Sequence, residues 1–167
     1  MNRQTLIIMR HAKSDWAQAQ QTDHERPLAA RGRRDSVKMA RWLGSQELAP
    51  TGIKCSSAVR ALETAQAVAK ELGGLPIVRE DSLYLADLND LLAVVQRPVS
   101  SCWVLVGHNP GLESLVRFLD PGIDHRSSHR KLLPTAAIYA FNIVSDQETL
   151  STGCGSLLCH QRPKLIT

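Results

Sequence analysis

Leu6-Ile7-Ile8-Met9-Arg10-His11-Ala12-Lys13-Ser14 is the stretch from which the fold of this chain is read. Its four successive apolar residues are too short a run for a core helix. They read as a buried strand. An arginine and a histidine follow at the carboxyl end of that strand, where open α/β sheets bind their ligands. The arrangement recurs twice. Ile53-Lys54-Cys55 leads to Arg60, and Trp103-Val104-Leu105-Val106-Gly107 leads to His108. Three strand ends thus carry two arginines and two imidazoles, and the simplest occupant of such a group is a phosphoryl group.

Outward from this stretch, strand and helix patterns alternate. Strands are expected at 5–9, 53–56, 77–78 and 102–107, and helices at 31–43, 58–72, 88–95 and 111–119. In the second helix Ala58, Leu62, Ala65, Ala69 and Leu72 recur on one face with the helical period, and Gly73-Gly74 supplies a stop. Antiparallel strands are expected at 135–144, 148–151 and 156–160. The sum is an α/β fold on a mostly parallel sheet with an antiparallel edge. Residues 1–167 are expected to form one domain.

The chain has 167 residues and is 43% hydrophobic but only 4% aromatic, so its core must be mainly Leu, Val, Ala and Ile. A net charge of +4 suits anionic substrates. No basic stripe is interleaved with aromatics and no zinc-finger spacing occurs, so nucleic acid is not expected as a partner. The apolar runs are too short for a membrane span, and the first residues lead into a strand and not into a signal-peptide core. A cytoplasmic protein, without membrane contact, is the expectation. Four scattered cysteines do not form a disulfide framework. Cys154 and Cys159 are an isolated pair, while Cys55 and Cys102 read as small buried hydrophobes. His125 and His129 are four apart but lack a third ligand, and are read as part of a solvated basic loop.

Arg60 is the most telling placement. With Ser57 as N-cap it becomes the third residue of a helix, where its charge opposes the helix dipole by a few tenths of a kcal/mol. A bound anion would receive both the dipole and the guanidinium. The competing reading pairs Arg60 with Glu63. His108 lies in Gly107-His108-Asn109-Pro110-Gly111, where Asn109 is expected to cap the next helix and Pro110 to begin it. A cysteine nucleophile at Cys55 is disfavoured, because a loop wrapping phosphate needs C-x5-R and the spacing here is C-x4-R.

Residues 10–16, Arg-His-Ala-Lys-Ser-Asp-Trp, resemble the small phosphohistidine phosphatase (SixA-like) branch of the histidine phosphatase, or phosphoglycerate-mutase-like, superfamily. Arg26-Pro27-Leu28, Arg31-Gly32-Arg33, Ser56 through Ala65, Val106 through Glu113 and Arg162-Pro163-Lys164 fit the same branch in order along nearly the whole chain. The departure is Ala12, where the superfamily signature has glycine. The resemblance implies that His11 attacks phosphorus and is transiently phosphorylated, that Arg10 and Arg60 hold phosphoryl oxygens, and that His108 donates a further hydrogen bond. It also implies the fold, a three-layer α/β/α sandwich with a mostly parallel mixed sheet, and neither metal nor cofactor. Arg26, Lys13, Ser14 and Asn109 are further substrate-binding candidates, Arg26 foremost. Asp15, Glu80, Asp81 and Asp87 are the candidates for a general acid, none of them compelling. A labile phosphoramidate needs no such acid, so the expected substrate is phosphohistidine on a protein, handled by a monomer. The alternatives are a small-molecule phosphomonoesterase and a non-catalytic phosphate-binding module.

Overall fold

The computed structural model describes residues 2–126, 131–145 and 149–167. Strands β1 (Asn2–Arg10), β2 (Ile53–Ser56), β3 (Ile77–Glu80), β4 (Cys102–Gly107), β5 (Ile138–Ser145) and β6 (Gly155–Gln161) form one sheet in the order β3-β2-β4-β1-β5-β6. The first four strands in that order are parallel, while β5 runs antiparallel to both β1 and β6. Helices α1 (Ala30–Gly44), α2 (Val59–Glu71), α3 (Leu88–Val95), α4 (Gly111–Leu119) and the short α5 (Ile123–Arg126) complete the described elements.

The layers follow from the two-residue period of the strands. Ile7 and Met9 of β1, with Val104 and Val106 of β4, face Met39, Ala40 and Leu43 of α1 and Ala61, Ala65 and Val68 of α2. Leu6, Ile8, Trp103 and Leu105 face the other way, onto Leu91, Val94 and Val95 of α3 and Leu112, Leu115 and Val116 of α4. This is the expected α/β/α sandwich. Each fully buried aliphatic side chain contributes roughly 1.5–3 kcal/mol, and both faces of the central strands collect them.

The register sets up the site. Arg10 pairs with Gly107, so β1 and β4 end level with one another. The His11 amide then donates to the Gly107 carbonyl at 3.0 Å, which places His11 beside His108. β2 joins β4 on the far side through Cys55 and Val106, bringing Ser56 and the start of α2 to the same end of the sheet.

Helix boundaries fall within a residue of expectation, β5 begins at Ile138 instead of residue 135, and three further features differ. β1 begins at Asn2 instead of residue 5. Gln4 accepts from the Trp103 indole at 2.8 Å and donates to the Val95 carbonyl at 3.1 Å, a polar anchor that hydropathy does not register. Residues 149–151 are not a strand, and residue 148 lies outside the described residues. The chain there turns back on α4: Gly153 has φ +80° and its amide donates to the Phe118 carbonyl at 2.8 Å. Third, Ser57 does not cap α2. Ala58 is the N-cap residue, without a side-chain cap, and Arg60 is the second helical residue.

Candidate active site

His11 follows β1 and is buried, 7% exposed. Its Nδ1 lies 2.8 Å from the carbonyl oxygen of Ala12, which can only accept, so Nδ1 carries the proton and Nε2 is unprotonated. The Ala12 amide in turn donates to Thr64 Oγ1 at 3.1 Å. Ala12 has no positive φ, so a methyl group is tolerated where the superfamily signature has glycine. Burial above all, followed by the charges of Arg60, Arg10 and Arg26, lowers the His11 pKa from 6.5 to about 4, although the Ala12 bond opposes the shift. His11 is therefore a neutral base at physiological pH.

Arg60 is 3% exposed and organises the pocket. Its Nε donates toward His11 Nε2 at 3.4 Å, and its Nη2 reaches His108 Nδ1 at 3.4 Å. Nη2 also meets Asp23 Oδ2 at 3.0 Å, and Nη1 donates to the Asp23 carbonyl. The Glu63 pairing does not form. Glu63 instead accepts from the Leu28 amide at 2.6 Å and lies 3.8 Å from Arg33.

His108 is 4% exposed, with its ring centroid 5.1 Å from that of His11. A guanidinium can only donate, so Nδ1 is the acceptor and Nε2–H donates to Ser56 Oγ at 2.7 Å. Burial, then the neighbouring charges of His11 and Arg60, lowers its pKa to about 3. Asn109 does not cap α4. The helix begins at Gly111 with Pro110 as N-cap residue, after a cis Asn109–Pro110 bond. The Asn109 amide nitrogen donates to the Leu133 carbonyl at 2.8 Å and to Glu113 at 3.1 Å, tying the turn to the segment before β5.

Arg10 closes another side and donates to the Leu133 carbonyl at 3.2 Å. Arg26 is buried, donates to Ser14 Oγ at 2.8 Å, and lies over the exposed Trp16 ring at 3.3 Å. Burial lowers the pKa of both arginines. Arg10 Nε and Arg26 Nε and Nη1 are buried without a hydrogen-bond partner; Arg26 Nε lies 3.4 Å from Asp23 Oδ1, close enough for an ion pair but poorly aligned. Buried cationic donors left unpaired are costly, and an anion among them would offset that cost. Lys13 is exposed at the rim and points to a neighbouring cleft.

The sequence reading missed Asp23, His24, Tyr84 and Ser56. Tyr84 donates to Asp23 Oδ2 at 2.7 Å and stands edge-on to His24 and His108, with centroid distances of 4.8 and 5.6 Å. His24 bonds Ser57 Oγ at 2.9 Å. Asp23 and His24 lie just before Arg26-Pro27-Leu28, separated from it by Glu25, and that proximity is the one signal that pointed to them. The four acid candidates have other duties or positions. Asp15 accepts from the Ala17 amide, Glu80 pairs with Lys54, Asp87 caps α3, and Asp81 opens an exposed turn. The carboxylate that does reach the site, Asp23, has its pKa lowered by the Tyr84 bond and by Arg60, so it is a poor proton donor near neutrality.

Among the described residues no three His, Cys, Asp or Glu side chains come together as a metal site; His125 belongs to α5, and His129 lies outside the described residues. Cys55 is wholly buried with its thiol raised to about 11, which removes it as a nucleophile. No helix is long and apolar enough to cross a membrane among the described residues.

Two neutral imidazoles bridged by one guanidinium, with two further arginines beside them, can surround a tetrahedral oxyanion and present a free ring nitrogen to its central atom. Comparisons with known proteins bear on the fold and the family. A protein of Mycobacterium tuberculosis, Rv1276c, is 29% identical over 164 residues, 93% of this chain and 100% of that one. A chloroplastic protein of Arabidopsis thaliana is 29% identical over 126 residues, 68% of this chain but only 58% of its own length. Among solved structures, the protein assigned as phosphohistidine phosphatase SixA in Agrobacterium tumefaciens superposes with a TM-score of 0.81 at 23% identity, covering 96% of this chain and 98% of that one. The protein histidine phosphatase SixA in complex with tungstate gives 0.78 at 25% identity, covering 96% and 97%. The family model for the histidine phosphatase superfamily (branch 1) matches residues 6–92, just over half of the sequence, and the chain belongs to that superfamily.

Proposed function

We propose that residues 1–167 act as one phosphatase unit that works without a metal, through a phosphohistidine intermediate on His11, and removes phosphate from phosphohistidine on a protein. The observation that carries this reading is the unprotonated Nε2 of His11, fixed by the Nδ1–Ala12 bond, touched by a long contact from Arg60 Nε at 3.4 Å, and set among buried, underpaired guanidiniums. In the first step Nε2 attacks phosphorus, a P–N bond to His11 forms, and the substrate's P–N bond breaks. The departing imidazole takes its proton from solvent. Water then attacks the phospho-His11, releasing orthophosphate and restoring Nε2. Arg10, Arg60 and Arg26 hold the phosphoryl oxygens, since phosphoryl transfer is mainly positioning and charge stabilisation. His108 Nδ1 is an acceptor in the free protein. A dianion beside it favours protonation, after which Nδ1–H donates to a phosphoryl oxygen.

The leaving group is chosen on Asp23. A carboxyl group held below its ordinary range does not protonate an alkoxide near neutrality, so a labile phosphoramidate fits the pocket better than an ester. Tungstate, the ligand of the related SixA complex, is a tetrahedral oxyanion of the kind this pocket would receive. The test is turnover of a phosphohistidine protein and of phosphoramidate, with and without EDTA, by the wild type and by His11→Ala. The expected result is EDTA-resistant turnover that disappears in a folded His11→Ala, with radiolabel from the substrate trapped on wild-type histidine. Full activity of His11→Ala refutes the reading.

A further inference from the structure

A second concavity opens beside the histidine pair and shares Arg10 with it. It is a cleft of about 400 Å³ whose charged lining is Arg10, Lys13, Arg31, Lys131, Arg162 and Lys164. Four separate parts of the chain deliver these cations: the end of β1, the start of α1, the segment before β5 and the turn after β6. Arg31 is paired with Asp35 at 3.3 Å. Among the described residues no carboxylate forms an ion pair with Lys13, Lys131, Arg162 or Lys164. Arg162 donates to the Lys131 and Leu132 carbonyls at 3.2 and 3.4 Å, and its Nε is buried without a partner. The first turn of α1, which contributes Arg31 to this cleft, holds no acidic residue.

Like charges gathered around one cleft repel one another and cost stability. Arg31 and Arg162 have partners in the fold, but no ion pair among the described residues holds the three lysines there. The catalytic chemistry accounts only for Arg10. Three of the six cations are lysines, point charges on flexible stems that tolerate variable partner geometry. That suits mobile carboxylates rather than one rigidly held group. An extended peptide advances about 3.3 Å per residue, so side chains two to four positions from a phosphorylated histidine lie roughly 7–13 Å from it.

We propose that this cleft receives acidic side chains, aspartate or glutamate, that flank the phosphohistidine of the substrate protein. The assignment rests on the phosphohistidine phosphatase reading above and adds the sequence character of the substrate. It makes the protein selective for phosphohistidines set in an acidic surface.

The experiment uses the full chain with two synthetic phosphohistidine peptides, one with Asp and Glu at the flanking positions and one with Asn and Gln, and with phosphoramidate as a substrate that has no flank. At low salt the expected kcat/KM is about tenfold higher for the acidic peptide, and the two peptides converge near 0.5 M salt, as screening removes the attraction. Lys164→Glu and Lys131→Glu, two substitutions outside the phosphoryl pocket, are each expected to lower kcat/KM for the acidic peptide several-fold and leave phosphoramidate turnover unchanged. Equal rates on the two peptides, or an equal loss on peptide and phosphoramidate in both variants, overturn the proposal while the phosphatase reading stands. Loss of turnover on every substrate in the wild type overturns both.

Discussion

Acidification from about pH 8 to pH 5 should destabilise this fold through two imidazoles, and the size of the effect follows from their burial. His11 and His108 are 7% and 4% exposed, with pKa values of about 4 and about 3, against 6.5 when solvated. In the unfolded chain each binds a proton as the pH falls through 6.5; in the folded chain neither does until well below 5. The unfolded state thus binds more protons and is favoured by acid. The stabilisation is full above the unfolded pKa and disappears as the pH falls toward the folded values. Linkage gives about 2 kcal/mol per histidine at pH 5, hence about 4 kcal/mol for the pair. The rings are 5.1 Å apart, so protonating one further disfavours the other. Urea unfolding of the wild type and of a His11→Gln/His108→Gln double variant at both pH values isolates the contribution, because every other titrating group is common to the two. The wild type should lose about 4 kcal/mol more than the variant on acidification. Parallel losses, within about 1 kcal/mol, would mean that the imidazoles protonate in place, and the argument that burial keeps His11 a free nucleophile would fail.

Binding tungstate should reverse that preference by favouring a proton on His108, so calorimetry in buffers of different ionisation enthalpy should report uptake of about one proton near neutrality. Arg60→Lys keeps a charge but cannot bridge both imidazoles and Asp23, and should lower kcat/KM by about 10²–10³ with the fold retained, as checked by circular dichroism and steady-state kinetics. Iodoacetamide at neutral pH should leave activity intact, because the Cys55 thiol is buried and raised to about 11. Gly111→Ala should cost about 2–3 kcal/mol in urea unfolding, since a Cβ there would lie 2.0 Å from the Ala86 carbonyl oxygen.

The strands most plainly legible in the sequence were those whose apolar runs are buried on both faces, Leu6–Met9 and Trp103–Val106, and the short Ile53–Ser56 strand was also placed. Their ends located Arg10, His11 and His108 as well. Arg60 was legible as a cation that a helix start disfavours. Asp23, His24 and Tyr84 escaped because their meeting depends on the path of an irregular loop, which has no period to read. Asn109 misled for a related reason. Its side chain had a plausible local duty as a cap, but Leu133, distant in sequence, offered a carbonyl that it took instead. Ser57 likewise exchanged a cap for His24. Local propensity names the options open to a short polar side chain, and tertiary contacts choose among them.

One turn of α2 does three jobs. Arg60 spans the imidazoles, its carbonyl accepts from Thr64 Oγ1 at 2.7 Å, and Thr64 Oγ1 in turn accepts from the Ala12 amide beside the nucleophile. The seat beneath this turn is built of very small side chains, Ala61 and Ala65, fully enclosed against the sheet. The spacing between nucleophile and clamp is thus a matter of carpentry, set by the thickness of two methyl groups. Enlarging either one would prise the helix off its bench and disable the chemistry from behind, leaving every polar residue of the pocket unchanged in identity.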